Sequence, residues 1–250
     1  MKKYSSAILL FFFSILLQFS CHTPYRTEKL IYSNYRLSQE TIKDSSTIAL
    51  LKPYSEEVSR TMNDVVGTIA VSMDKAQPES ALGDWMADAY LAMAKEKFKR
   101  NVDGAMMNFG GIRLTQIPAG PITRGKVFEL MPFDNLLILQ EMTGAQVQQL
   151  LDLIAARNGW PLAGITMEIK EKKAVNIWVG GKQLDPSATY TIANSDFVAN
   201  GGDEAAFLKS IPQINIGYLM RDALFDYINT FTKAGKPITA PAANRVRYAQ

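Results

Sequence analysis

The spacing of apolar residues predicts regular secondary structure over most of the chain. Apolar positions that recur at three- and four-residue steps indicate helices, and alternating or continuous apolar runs indicate strands. Helices are predicted at residues 47–62, 82–97, 124–130, 144–159 and 219–231. Strands are predicted at residues 65–73, 105–107, 136–142, 165–170, 174–179, 189–193 and 245–248. Ser80 and Thr123 are expected to cap the second and third helices, because their hydroxyls accept hydrogen bonds from free amides at helix starts.

The order of these elements favours an α+β fold. Runs of strands are separated by single helices, and residues 165–179 have the pattern of a hairpin around Glu171, Lys172 and Lys173. Regular strand–helix–strand repeats, which would give a parallel sheet, are not evident. The sequence therefore predicts a single domain at residues 46–250, with a mixed β-sheet and flanking helices.

The first 45 residues differ from the rest of the chain. Lys2 and Lys3 precede an apolar run at residues 7–19, a pattern typical of a secretory signal, and this run is shorter than the roughly 18 residues of a membrane span. We assign residues 1–20 to a signal peptide and residues 21–45 to a polar tether with a short strand at 30–35.

Cys21 is the only cysteine of the chain, which excludes an internal disulfide. It directly follows the predicted signal, where a lipid can be attached to a new N-terminus, although Gln18 stands where a lipidation motif usually has an aliphatic residue. The sequence predicts an exported lipoprotein, anchored to a membrane at the periplasm or cell surface through Cys21. Simple secretion is the alternative.

The positive charge of the chain belongs mostly to its signal segment. The chain has 27 Lys and Arg against 24 Asp and Glu, and removal of Lys2 and Lys3 leaves a balance of +1. Net charge therefore gives no argument for a nucleic-acid polymer as partner.

The histidine content limits the catalytic chemistry. His22 is the only histidine, and it lies in the predicted tether. A histidine-rich dinuclear metal centre and a Ser-His-Asp arrangement are therefore excluded from the domain. Carboxylate catalysis stays open, but nothing in the sequence places Asp196 and Asp203 in one pocket. We predict no catalytic residue and no metal site in this chain.

Residues 108–133 contain an unusual group of glycines, prolines and one arginine. Arg113 follows Gly110 and Gly111, and its guanidinium offers a fork of donors suited to a phosphate or carboxylate. Asn108 could donate to and accept from the edge of a base. Alternatively, the glycines make a tight turn, Asn108 forms part of it, and Arg113 is a solvated surface residue.

A second unusual stretch follows the strand predicted at 189–193. Phe197 lies in it, and like Phe133 it offers a flat face on which a heteroaromatic ring can stack. Asp203 follows two glycines and could accept hydrogen bonds from vicinal hydroxyls. The alternatives are core phenylalanines and an aspartate that closes its own turn.

Five short motifs carry a resemblance to a known family. They are NFGGIR at 108–113, PIT at 121–123, LMPFDN at 130–135, TGA at 143–145 and DFVANGGD at 196–203. In this order and spacing they resemble the motif series of the C-terminal domain of 5′-nucleotidases. The resemblance covers about residues 45–240.

The resemblance implies a role for each candidate residue. It implies that Phe133 and Phe197 sandwich a nucleobase, Asp203 meets the ribose, Asn108 contacts the base and Arg113 the phosphate end. The ligand it implies is a nucleoside monophosphate, a nucleoside or a nucleotide sugar. The chain departs from the family pattern at two places: Gln77-Pro78 stands where the family has an arginine near Glu79, and Asp84 stands where it has an asparagine after Gly83. These departures imply weaker binding of a monophosphate.

In this family the hydrolytic centre lies in a separate N-terminal metallophosphatase domain, to which a domain rotation carries the nucleotide. The sequence contains no such domain, so we expect this chain to hold no cofactor itself and to work with a separate metallophosphatase protein that binds divalent metals. It would then be the recognition component of a split 5′-nucleotidase, inactive alone. The alternative is a non-catalytic surface lipoprotein that binds nucleosides or nucleotides for uptake or sensing.

Overall fold

The computed structural model describes residues 29, 31–34, 44–239 and 243–249. The predicted signal peptide and Cys21 lie outside these residues. The chain divides into two compact units, Met1–Ile48 and Ala49–Gln250. The strand predicted at 30–35 is wrong for its described part, since residues 31–34 form no strand and the side chains of Ile31 and Tyr32 are exposed instead of being packed against a partner. Among the described residues, no helix is long and apolar enough to span a membrane.

The described residues form six α-helices, five of them close to the predicted positions. They are α1 (Ser45–Met62), α2 (Ala81–Phe98), α3 (Arg124–Leu130), α4 (Gly144–Ala156), α5 (Asp196–Ala199) and α6 (Met220–Lys233). The predicted caps are confirmed, because the side chains of Ser80 and Thr123 accept hydrogen bonds from the amides of Gly83 and Lys126. Helix α5, a single turn, was not predicted, since four residues are too few to give a helical period.

Thirteen strands are present in the described residues. They are β1 (Val65–Ile69), β2 (Met73–Asp74), β3 (Gly104–Met106), β4 (Gln116–Ile117), β5 (Gly120–Thr123), β6 (Leu136–Thr143), β7 (Leu162–Ala163), β8 (Ile165–Lys170), β9 (Lys173–Val179), β10 (Lys182–Gln183), β11 (Thr189–Ser195), β12 (Gln213–Leu219) and β13 (Val246–Tyr248). The hairpin of β8 and β9 and the edge position of β13 are confirmed. The strand predicted at 65–73 is two strands, because the chain bends at residues 70–71 between β1, which pairs with β5, and β2, which pairs with β4.

The strands form two larger sheets, both mixed, and two small pairs. The five-stranded sheet has the order β12-β6-β11-β3-β7, in which only β11 and β3 are parallel. The four-stranded sheet has the order β10-β9-β8-β13, in which β13 runs parallel to β8. Strands β1 and β5 form one small pair, and β2 and β4 the other. The predicted α+β class with mixed sheet and flanking helices is thus confirmed, with the strands divided between sheets.

The five-stranded sheet is covered on both faces. Its alternate side chains point to opposite sides: Ala193 of β11 belongs to a core formed with α2 and α6, and its neighbour Ile192 belongs to a core formed with α4 and the four-stranded sheet. Neighbours in β3 divide in the same way. The central strands are therefore packed on both faces. The loops at their ends are anchored to these strands.

A buried acidic group holds the C-terminal segment against α2. The Asp84 carboxylate, only 1% exposed, accepts a hydrogen bond from the amide of Ala243 at 3.2 Å. Glu79 accepts from the amide of Arg245 at 2.6 Å, and the Arg245 guanidinium donates to Asp88 at 2.8 Å. Burial, followed by the nearby negative charge of Glu79, raises the pKa of Asp84 to about 7.

We expect the stability of the domain to fall as pH rises from about 4 to about 7. The folded protein holds the Asp84 proton in this range, while the unfolded chain releases it near the ordinary value of 3.8, so the free energy of unfolding decreases with pH. In Asp84→Asn the amide can still accept from Ala243 and donate to Glu79, so this variant should lose most of that slope. At pH 8 it should be more stable than the wild type by about 2–4 kcal/mol.

Urea unfolding at pH 5, 6, 7 and 8 measures this difference. The control is Asp222→Asn, which removes an exposed carboxylate from α6 and should keep the wild-type slope. An Asp84→Asn profile parallel to that of the wild type would show that Asp84 titrates at an ordinary pH.

Candidate functional site

A cleft of about 310 Å³ lies at one end of the five-stranded sheet. Its lining residues are Asn108, Gly110, Gly111, Arg113, Phe133, Asn135, Phe197 and Asp203. All five residues that were predicted to bind a ligand are among them, although they come from three separate parts of the sequence. Their contacts with a ligand stay predictions.

Sheet topology explains why these parts meet. Strand β6 begins where antiparallel β11 ends, with Leu137 opposite Ser195, and β3 runs parallel to β11. The start of β6 and the ends of β11 and β3 therefore lie at the same edge of the sheet. The loop before β6 carries Phe133, the turn after β11 carries Phe197, and the turn after β3 carries Asn108.

The turn after β3 is a single 3₁₀ turn, Phe109–Gly111. The amide of Gly111 donates to the carbonyl of Asn108 at 3.0 Å, and the amide of Arg113 donates to the carbonyl of Leu130 at 3.1 Å. A Cβ atom at Gly111 would lie 2.8 Å from both Oδ1 of Asn108 and Cε of Met107. A side chain at Gly111 would have to displace these two side-chain ends, so glycine lets the backbone approach them closely.

Asn108 and Asp203 contact each other across the cleft. Nδ2 of Asn108 donates to Oδ2 of Asp203 at 2.6 Å, and Asn108 is only 8% exposed. Asp203 has a left-handed backbone (φ 51°) and follows Gly201 (φ 90°) in a tight turn. The bond uses Oδ2 of the carboxylate, and among the described residues no hydrogen bond reaches Oδ1. The two side chains therefore contact each other beyond their own turns, and their role in binding a ligand stays a prediction.

Phe133 lies on the loop between α3 and β6 and is 37% exposed. Arg221 of α6, almost buried, fixes this loop by donating to the carbonyl of Phe133 at 3.1 Å and to Oδ1 of Asp134 at 2.6 Å. The guanidinium of Arg113 lies 5.7 Å from the centre of the Phe133 ring. Phe133 is therefore a held, accessible ring, and not a core residue.

Phe197 lies in the first turn of α5 and is 44% exposed. Oδ1 of Asp196 accepts hydrogen bonds from the amides of Phe197 (2.8 Å) and Leu136 (3.0 Å). These bonds connect the turn that carries Phe197 to the end of the loop that carries Phe133. A Cβ atom at Gly202 would lie 2.4 Å from the Phe197 ring, so the backbone of Gly202 packs directly against it. Asp196 therefore supports the site without lining the cleft.

A second cationic side chain, Lys75, lies near Arg113. Nζ of Lys75 donates to the carbonyl of Ile112 at 2.8 Å and lies 4.0 Å from the centre of the Phe109 ring. Burial lowers the pKa of Lys75, and the charge of Arg113 lowers it further. Within the described part of the chain, neither cation forms an ion pair. An anionic group of a ligand would relieve their mutual repulsion.

No sequence pattern indicated Lys75, Arg221 or Asp196 as parts of the site. Lys75 is 37 residues from its partner Ile112, and Arg221 is 88 residues from Phe133. Only the fold brings them together, and no local motif marks them. Asp84, which departs from the family pattern, does not line the cleft but belongs to the buried acidic group described above.

The cleft combines two accessible aromatic rings, a carboxylate acceptor and a cationic end. Such a set can stack a planar ring, accept from hydroxyls and attract an anion. In residues 44–239 and the other described positions, no group of three His, Cys, Asp or Glu side chains has the arrangement of a metal site. Fold and cleft together define an α+β domain with a candidate ligand-binding cleft at one end of its central sheet.

Comparison with known families identifies this domain. The model of the 5′-nucleotidase C-terminal domain matches residues 65–210, more than half of the chain. The chain belongs to this family, as the five motifs predicted. The matched segment contains every lining residue of the cleft.

Curated relatives are longer than this chain. It is 30% identical over 221 residues to the 5′-nucleotidase of Vibrio cholerae serotype O1, covering 80% of this chain and 38% of that protein. It is 27% identical over 208 residues to protein UshA of Yersinia enterocolitica, covering 81% of this chain and 36% of that protein. The chain therefore spans little more than a third of the length of these relatives.

The fold is also similar to that of solved structures. The crystal structure of a 5′-nucleotidase precursor from Thermus thermophilus superposes with a TM-score of 0.66 at 24% identity. The match covers 81% of this chain and 43% of that one. It supports the fold assignment.

Proposed function

We propose that this chain is the nucleotide- or nucleoside-recognition component of a 5′-nucleotidase, and that it acts with a separate metallophosphatase chain. The observation that carries the proposal is the convergence of Phe133, Phe197 and Asp203 with Arg113 on one cleft. The two rings would hold the base, Oδ1 of Asp203 would accept from the ribose, and Arg113 with Lys75 would attract the phosphate. Hydrolysis is assigned to the partner, since His22 is the only histidine of the 250 residues.

We further propose that the chain is exported and anchored through a lipid on Cys21. The basis is the apolar run before Cys21 and the absence of any other cysteine from the sequence. Mass spectrometry of the protein purified from membranes tests this. A mature N-terminus at Cys21 carrying acyl chains is the expected result, and an unmodified Cys21 would contradict it.

Measuring phosphate release tests whether recognition and hydrolysis are divided between two chains. Nucleoside monophosphates are incubated with this chain alone, with a metallophosphatase chain exported by the same cell, and with the two mixed. Release should be clearly faster in the mixture than the sum of the two separate rates. No gain on mixing, together with nucleoside binding by this chain alone, would favour a binding protein for uptake or sensing instead.

Arg113→Gln is expected to weaken the binding of a nucleoside monophosphate about ten-fold, because a charge-assisted hydrogen bond to phosphate is lost. Binding of the matching nucleoside should change by less than about two-fold, since it lacks the anion that Arg113 attracts. Isothermal titration calorimetry with both ligands measures the two effects. Arg247→Gln, which removes an exposed arginine from β13, is the control and should change neither. Equal losses for nucleoside and monophosphate would contradict a phosphate contact.

A further inference from the structure

Helix α1 carries an apolar face that is open to solvent. None of the residues of this 18-residue helix is buried. Leu51, Tyr54 and Val58 are 54%, 69% and 55% exposed, and their spacing of three and four places them on one side of the helix. This distinguishes α1 from α2, α4 and α6, each of which buries several apolar residues.

The other side of α1 is polar and electrically balanced. Lys52 and Glu56 form an ion pair at 3.8 Å, and Glu57 and Arg60 add one charge of each sign. Two distinct faces of this kind are typical of a helix that lies in a groove of another protein. Most helical stability in proteins comes from packing of an amphipathic face, so α1 gains stability when its apolar face is covered. The balanced charge gives no attraction to an anionic lipid surface, which favours a protein as the occupant.

The position of α1 in the chain indicates which protein. The helix ends at Met62, and the family match, to a domain that is C-terminal in 5′-nucleotidases, begins at residue 65. In the curated relatives most of the protein lies outside the matched region. Helix α1 therefore occupies the end of the domain at which the preceding, larger part of such a protein is joined.

We propose that the apolar face of α1, formed by Leu51, Tyr54 and Val58, is the docking surface for the separate metallophosphatase chain. This inference rests on the proposed function and adds the location of the contact. It places docking on a helix whose exposed residues are not part of the cleft. Docking and nucleotide recognition are then separable by mutation.

The double variant Leu51→Glu/Val58→Glu tests the proposal in the full chain. Both side chains are exposed, so the fold should be kept, which circular dichroism and unchanged nucleoside affinity verify. Surface plasmon resonance with the immobilised metallophosphatase should show at least about ten-fold weaker binding, because two apolar contacts are replaced by charges. The gain in phosphate release on mixing should fall in parallel.

The control is Lys52→Gln/Arg60→Gln, which changes the polar side of the same helix and should bind the metallophosphatase like the wild type. Wild-type affinity of the Leu51→Glu/Val58→Glu variant would overturn the docking proposal. If the mixture of this variant and the phosphatase still shows the full gain, the proposed function stands and only the docking surface is wrong. If wild-type chain and phosphatase show no gain, the proposed function itself fails.

A photo-cross-linker identifies the occupant directly. Tyr54→p-benzoylphenylalanine is introduced into the full chain in its own cell, and cross-linked products are identified by mass spectrometry. A metal-dependent phosphoesterase at this position supports the proposal. A second copy of the chain, residues 21–43 of the same chain, lipid, or no product would each overturn it.

Discussion

Replacing both Phe133 and Phe197 by alanine is expected to abolish measurable nucleoside binding. Each stacked ring contributes about 1–3 kcal/mol per base, so loss of both should weaken binding by at least about thirty-fold. Both rings are already partly exposed, 37% and 44%, so their removal should cost little stability. Isothermal titration calorimetry with purine and pyrimidine nucleosides measures the effect.

The control for this experiment is Trp178→Ala. Trp178 is 48% exposed on β9 and does not line the cleft. Its loss should leave nucleoside binding unchanged. If the Phe133→Ala/Phe197→Ala variant binds nucleosides like the wild type, the cleft is not a base-binding site and the proposed function loses its main support.

Arg221→Leu is expected to lower the free energy of unfolding by about 2–4 kcal/mol. The guanidinium donates to the carbonyls of Met131 (3.4 Å) and Phe133 (3.1 Å) and to Asp134, and it lies 4.3 Å from the centre of the Phe128 ring. Leucine leaves partly buried carbonyls without a donor, which is the costly part of the change. Urea unfolding at pH 7 measures the loss.

Two further variants separate the contribution of the ion pair with Asp134 from that of the hydrogen bonds to the loop carbonyls. Asp134→Asn should cost less than about 1 kcal/mol, because Asp134 is exposed and surface ion pairs contribute little. Arg221→Lys keeps the charge but cannot reach all partners at once, and should lie between the two. Arg221→Leu should also weaken nucleoside binding, since the Phe133 loop loses its support. Unchanged stability of Arg221→Leu would show that the loop is held by other contacts.

The sequence predicted those elements whose pattern is local. The apolar stripes of α2, α4 and α6 and the alternation in β8 and β9 each lie within a single segment. Strand β12 was not predicted, because it is an edge strand with three consecutive exposed residues, 215–217, and a register shift before Leu219. The end of β1 at Ile69 was also missed, since it depends on β1 and β2 pairing with different distant strands, β5 and β4.

The candidate site was predictable only in part. The five candidate binding residues follow from motifs in the sequence, and their location at one end of the five-stranded sheet explains why they meet. The side chains that hold the cleft loops in place were not predictable. Lys75, Asp196 and Arg221 do this through hydrogen bonds to backbone atoms far away in the sequence. The contacts of such side chains depend on the tertiary structure and leave no periodic pattern in the sequence.

The hydrogen bond between Asn108 and Asp203 has a consequence for how a ligand is admitted. It joins two sides of the cleft across 95 residues of chain. Preorganisation of this kind reduces the conformational entropy that association would otherwise consume. For the nucleosides proposed as ligands, entry should then require little backbone rearrangement, and we expect discrimination among them to depend on the fixed shape of the cleft and not on a slow closing movement.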